Sequence, residues 1–182
     1  MQESVATSLG KAVFAFSAEM AIGIAAGFLV DPLSFKVRAL EVKSLISDER
    51  FLLNTEDVLD WKKDSVFIQN EEVLYTSAEI CRAGAWQTKV VKLIGFKVLN
   101  QAGVCLGWVK DFSFEANNFL VTQLESSHKR LIFWSTHSRL IPRRQIMKIT
   151  KETVIIQEQI GEVPIGEEKL GIMGKISIAE EA

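Results

Sequence analysis

Cysteine and histidine are scarce in this chain of 182 residues, with two of each. Cys81 and Cys105 sit far apart with no partner motif. They read as reduced thiols of a cytosolic protein, with a single disulfide as the alternative. His128, His137 and the cysteines match no zinc-ligand spacing, so solvated loop histidines are the simpler reading. A glycine-rich phosphate loop is missing, since Gly171-Ile-Met-Gly174 is too sparse to form one. Net charge is only −2, so the chain as a whole is no polyanion binder. Paired carboxylates such as Glu71-Glu72 and Glu167-Glu168 read as solvated faces, and Cys105 as a buried thiol inside a strand. With no acid–base or nucleophile constellation, no catalytic residue, metal or cofactor is expected, and the chain reads as not an enzyme.

What the chain does have is a repeat. Gly107, Phe112, Phe114, Phe119, Val121 and Leu124 each lie 84 residues after Gly23, Phe28, Val30, Phe35, Val37 and Leu40, with no gap. A second block lies at an offset of 88: Leu140, Ile141, Ile146 and Val154-Ile155-Ile156-Gln157 fall on Leu52, Leu53, Val58 and Val66-Phe67-Ile68-Gln69. Two copies indicate two similar small units rather than a solenoid. Their bounds read as 9–70 and 92–160, with 71–91 a linker and 161–182 a tail. Residues 1–9 read as a short lead-in.

Each copy shows short apolar runs and no long 3.6-residue period, the pattern of an antiparallel all-β unit. A sheet that small gains from closing into a barrel. Gly103 suits a tight hairpin turn at positive φ. The apolar positions Val109, Phe112 and Phe114 step first by three and then by two, as do Ala25, Phe28 and Val30. That step predicts a bulge in the central strand of both copies. Phe28, Phe112, Phe35 and Phe119 are expected to point inward. Residues 12–30 carry one charge, Glu19, and could pass for a membrane span or signal peptide. The repeat argues instead for a buried hairpin, because the matching second copy contains Lys110, Asp111 and Glu115. A short helix is expected near Ser77–Ala83.

The pattern Gly95-x-x-Val98, Gly103, Leu106-Gly107-x-Val109-x-Asp111, Phe112-x-Phe114, Arg139-x-Ile141-Pro142, Ile146 and Val154-Ile155-Ile156 resembles the PRC-barrel family. That family includes the cytoplasmic domain of the photosynthetic reaction centre H subunit and the C-terminal domain of a ribosome maturation factor. The resemblance covers residues 92–158, and reaches 9–69 through the repeat. The first copy departs from it, with Gly27 in place of the acid and Asn54 where Pro142 stands. The resemblance implies two PRC-barrel-like β-barrels in tandem. It also implies a cytoplasmic or membrane-peripheral adaptor or assembly protein that binds another protein or complex. An RNA- or ribosome-associated assembly factor and a peripheral factor of a photosynthetic membrane complex are the alternatives. No integral membrane span is expected, and the sequence does not set an oligomeric state.

Surface charge separates the copies. The span His128–Lys151 holds Lys129, Arg130, Arg139, Arg143, Arg144, Lys148 and Lys151 with no Asp or Glu. The matching span Ser47–Asp64 holds Asp48, Glu49, Glu56, Asp57, Asp60 and Asp64 against Arg50, Lys62 and Lys63. Simple solubility, with the two copies attracting each other, is one reading; the sharper one is that an acidic partner, protein or RNA, docks on the second copy through Arg139, Arg143 and Arg144, with Lys129 and Arg130 nearby. Trp108 and Trp134 lack tryptophan counterparts in the first copy and suit an interface, whereas Trp61 matches Ile149 and reads as core.

Overall fold

The alternation of apolar residues sets two families of strands. The computed structural model describes residues 1–18, 20–76, 79, 90–128 and 137–157. Among these residues the fold is all-β, apart from one helical turn, α1 (Val5–Ser8), and three 3-10 turns. Two sheets form, each of seven strands. The first runs in the order β6 (Val58–Trp61), β7 (Ser65–Ile68), β2 (Ala12–Ala15), β3 (Ala21–Asp31), β4 (Lys36–Ser44), β5 (Arg50–Asn54) and β8 (Leu74–Tyr75). The second runs β12 (His137–Pro142), β11 (Val121–His128), β10 (Cys105–Glu115), β9 (Lys97–Asn100), β14 (Thr153–Ile156) and β13 (Ile146–Ile149), with β1 (Gln2–Ser4) added to β10. Residues 12–15 and 21–30 thus lie on strands of the first sheet, and no helix among the described residues is long and apolar enough to cross a membrane.

The internal repeat is visible strand for strand. β3 and β10 each bulge at equivalent places, Ala25/Gly27 and Leu29/Val30 in one, Val109/Asp111 and Ser113/Phe114 in the other. The first bulge of each pair is the three-residue step of the sequence. Phe28, Phe35, Phe112 and Phe119 are all buried, together with Val37, Leu40, Val121 and Leu124. Trp61 and Ile149 are both core. Gly103 closes the β9–β10 turn at φ 81°, as its freedom from a Cβ permits. Gly23 serves a different need, since a Cβ there would meet Lys43 O at 2.8 Å.

The expectation of purely antiparallel units needs correction. β2 pairs with β7 in parallel, and β9 pairs with β14 in parallel. The cause is the 3-10 turn Thr55–Asp57, and its counterpart Arg143–Gln145. Each carries the chain across to the other end of its sheet without the reversal a hairpin would impose. β5 and β6 therefore lie near opposite ends of the strand order yet are joined by three residues. A connection that short spans about 13 Å at most, so each sheet must curl strongly. Cys105 also departs from expectation, being half-buried rather than buried. The helix expected at Ser77–Ala83 lies outside the described residues except for Glu79, and Cys81, Trp86 and the tail 161–182 lie outside them entirely.

The two sheets share one core. Residues 1–9 are no mere lead-in: β1 pairs with β10, placing Glu3 opposite Phe114. The residues preceding the second copy do the same for the first sheet, where Val91 and Val30 exchange both backbone hydrogen bonds at 2.8 and 2.9 Å. Under the 84-residue offset Val30 is Phe114, so each repeat lends its leading segment to the other. A second reciprocal contact lies beside it. Val37 N–H donates to Phe119 O (2.8 Å) and Val121 N–H to Phe35 O (2.9 Å), contacts that interchange under the same offset. Phe35 and Phe119 adopt φ of 57° and 59°, a left-handed conformation that a bulky residue rarely takes. Each closes a five-residue turn, Phe35 N–H on Asp31 O and Phe119 N–H on Glu115 O. The molecule is thus a pseudo-two-fold pair of repeats within one chain.

Asp31 holds the first of these turns. Its carboxylate is buried and accepts from Leu33 N–H (2.9 Å) and the Ser34 hydroxyl (2.6 Å), with Arg38 Nε at 3.9 Å. Burial raises its pKa most, but the Ser34 hydroxyl, the backbone N–H groups of Leu33 and Ser34, and the Arg38 charge together bring it below the ordinary value. A lowered folded pKa contributes stability that is full above the unfolded pKa and is lost as pH falls through the folded one. Acid unfolding should therefore begin below about pH 4. Asp31→Ala should cost about 1.5–3 kcal/mol at neutral pH, with a shallower loss on acidification than the parent. Urea titrations between neutral and acidic pH would measure both, and an unchanged acid limb would exclude Asp31 as a contributor.

Candidate docking surface

The surface with the most consistent charge is built on one 3-10 turn and the strands beside it. The turn Arg143–Gln145 follows Pro142, whose fixed φ of −66° starts it. Gln145 is buried and anchors the turn, which leaves Arg144 exposed. In the first repeat the same turn is Thr55–Asp57, 88 residues earlier. There Asn54 takes the place of the proline and caps the turn by accepting from Glu56 N–H at 3.1 Å. Thr55 is buried and donates to Val37 O at 3.0 Å. Glu56 is exposed and pairs with Arg38 at 2.9 Å. Asp57 has a raised pKa, first because of burial and then because of the neighbouring Glu56 charge. One structural position therefore presents carboxylates in one repeat and guanidinium groups in the other.

The residues singled out from the sequence are not all assembled there. Arg143 is half-buried, and its guanidinium carbon lies 3.5 Å from the centre of the Phe35 ring. It is a cation–π clasp between the repeats as well as part of a charged face. Arg139 sits half-buried on β12. Arg144, Lys148 and Lys151 are exposed and make no ion pair among the described residues. Trp108 is 39% exposed on β10. It stands opposite Ser127, while the 3-10 turn begins beside Pro142, opposite Gln123. Those points are about 13 Å apart along β11, so Trp108 does not join Arg143 and Arg144. Trp108 instead borders a hollow of about 360 Å³ with Ile94, Phe96 and Glu152. Lys129, Arg130 and Trp134 lie outside the described residues. The backbone places His128 opposite His137 across β11 and β12. Among the described residues no three His, Cys, Asp or Glu side chains gather as metal ligands.

A second exposed feature escaped the sequence reading. Phe16, Met20, Leu45 and Ile46 are 64%, 77%, 56% and 88% exposed. The connections that carry them lie at the same end of the sheet because β3 and β4 are antiparallel, with Gly23 opposite Ser44 and Leu45 N–H donating to Ile22 O at 3.3 Å. The β2–β3 and β4–β5 connections therefore share one end of the first sheet. No periodic pattern marks loop residues of this kind, so nothing in the sequence separated them from core positions. Comparison with protein-family models gives no match for this chain, and comparison with curated proteins gives none.

Proposed function

We propose that the chain is a tandem of PRC-barrel-like units acting as a non-enzymatic adaptor that docks an acidic protein on the basic face of its second repeat. The observation that carries this reading is the charge inversion at the shared 3-10 turn. Thr55-Glu56-Asp57 and Arg143-Arg144-Gln145 hold the same place in each repeat, over matched cores, with opposite surface charge. Packing accounts for the matched cores but does not require opposite surfaces. The strong curl of both sheets supports the barrel-like description. The exposed apolar side chains Phe16, Met20, Leu45 and Ile46 at one end of the first sheet suit a protein partner that reaches beyond the basic face.

The test reverses Arg144 and Lys148 to Glu together and leaves Arg143 on its ring. The double variant should keep its melting temperature and lose affinity for the partner by at least about tenfold, or about 1.4 kcal/mol. Unchanged recovery of the partner by a folded variant would remove this face from the reading. Nuclease treatment of the parent protein should have no effect on recovery. Loss on nuclease treatment, with a log–log salt slope near about −0.7 per phosphate contacted, would assign the face to single-stranded RNA instead.

A further inference from the structure

The strands that follow the two 3-10 turns carry the charge contrast further. β6 and β13 each bulge, between Val58 and Asp60 in one and between Ile146 and Lys148 in the other. The bulge leaves two neighbouring side chains outward instead of one. They are Leu59 and Asp60 in the first repeat, Met147 and Lys148 in the second. Leu59 and Met147 hold the same place under the 88-residue offset, and both are 53% exposed. The charges around them are opposite. Thr55–Trp61 holds Glu56, Asp57 and Asp60 with no base, and Arg143–Ile149 holds Arg143, Arg144 and Lys148 with no acid. Solubility requires neither an apolar side chain kept outside twice nor charges that invert around it. Nor do the stretches neutralise each other within the chain, since no ion pair among the described residues joins them.

We infer that the acidic partner is a second copy of this chain, whose Arg143–Ile149 stretch docks on Thr55–Trp61 of the first. The inference rests on the docking reading above and names its partner. Beside Leu59 the surface has a hollow of about 330 Å³, bordered by Val58 and Trp61 from the first repeat and by Ala116, Asn117 and Phe119 from the second. Met147 is the side chain suited to enter it, being unbranched, adaptable and favourable against aromatic rings. Gln101 Nε2 donates to its Sδ at 3.2 Å, but a thioether is a weak acceptor and loses little when it moves. Charges lie on both sides of the apolar residue in each stretch, so either relative direction sets a cation against each carboxylate. Complementarity of this kind selects a partner and orients it. Glu56 and Asp60 have surface partners already, Arg38 at 2.9 Å and Lys62 at 3.4 Å. Exposed pairs contribute little, so a second copy's cations compete for both acids. Each copy offers one stretch of each kind. The contact is therefore head-to-tail, and it propagates unless its rotation closes a ring.

Sedimentation velocity of the full chain at rising concentration and low salt tests the inference. The parent should associate reversibly, and less so as added salt screens the charges. Two variants, Glu56→Lys with Asp60→Lys and Arg144→Glu with Lys148→Glu, should each sediment as folded monomers where the parent associates. Mixed in equal amounts they should associate again, because each supplies the stretch that the other has lost. Met147→Ser leaves every charge in place and should weaken self-association at least about tenfold. A parent that stays monomeric overturns the inference, as does association that either charge variant keeps, that mixing fails to restore, or that Met147→Ser leaves unchanged. A monomeric parent overturns this inference alone. The docking reading then stands or falls on recovery of a different acidic protein by the Arg144→Glu, Lys148→Glu variant.

Discussion

Phe114→Ala should destabilise the whole molecule by about 3–5 kcal/mol. The Phe114 ring is fully buried, and its centroid lies 5.5 Å from Phe28, 5.6 Å from Trp61, 6.1 Å from Phe119 and 6.4 Å from Phe112. Phe28 and Trp61 belong to the first repeat, and Phe112 and Phe119 to the second. Truncation would therefore open a cavity lined by both repeats, in a core that cannot collapse from one side alone. The loss should be seen in one transition. Urea unfolding followed by tryptophan fluorescence and by far-ultraviolet circular dichroism should give coincident curves before and after the substitution. Two separated transitions, only one of them shifted, would mean that the repeats fold independently. A loss below about 1 kcal/mol would mean that the ring does not bridge them.

Glu3→Ala should cost a comparable amount, for a different reason. The Lys11 side chain is only 3% exposed. Its ammonium donates to Glu3 Oε2 at 3.0 Å and to Lys62 O at 2.8 Å, and lies 4.8 Å from the centre of the Trp61 ring. Glu3 also accepts from the Ser8 hydroxyl at 3.2 Å. Lys11 leads into the first sheet while Glu3 sits on β1 in the second, so one ion pair ties the sheets together. Removing the carboxylate leaves a buried cation with a single carbonyl partner, which costs about 3–5 kcal/mol. Removing both charges is a different experiment. Lys11→Met with Glu3→Gln should recover most of that loss, because a neutral pair of similar volume avoids desolvating two ions. Thermal and chemical denaturation of the single and double variants would decide. A double variant as unstable as Glu3→Ala would show that β1 docking, rather than charge compensation, is what Glu3 provides.

Much of the local architecture was legible before any coordinates, because it depends on period-two alternation. Phe28 with Val30, Phe112 with Phe114, and the three-residue step before each pair announce an inward face interrupted by a bulge. Gly103 marks its hairpin because that turn needs positive φ. The charge contrast between Glu56-Asp57 and Arg143-Arg144 was also plain in the chain, as surface charge is not constrained by packing. The engagement of Arg143 was not. Only the fold brings the Phe35 ring beneath a guanidinium more than a hundred residues away. The apolar rim at Phe16, Met20, Leu45 and Ile46 was equally hidden, since two connections become neighbours only when their strands pair.

The sequence by itself determined which residues face inward, that the inward pattern occurs twice, and that the second copy is the basic one. These properties follow from side-chain alternation along a strand and from counting charges. The tertiary structure alone decided that β2 and β7 run parallel, that Phe35 and Phe119 adopt left-handed backbone, and that each repeat lends its leading segment to the other. Alternation says which side of a strand is apolar, but it is silent on which strand lies alongside. Neighbours are chosen by long-range backbone hydrogen bonds and by a core that neither repeat closes alone. Those terms appear only when distant parts of the chain meet.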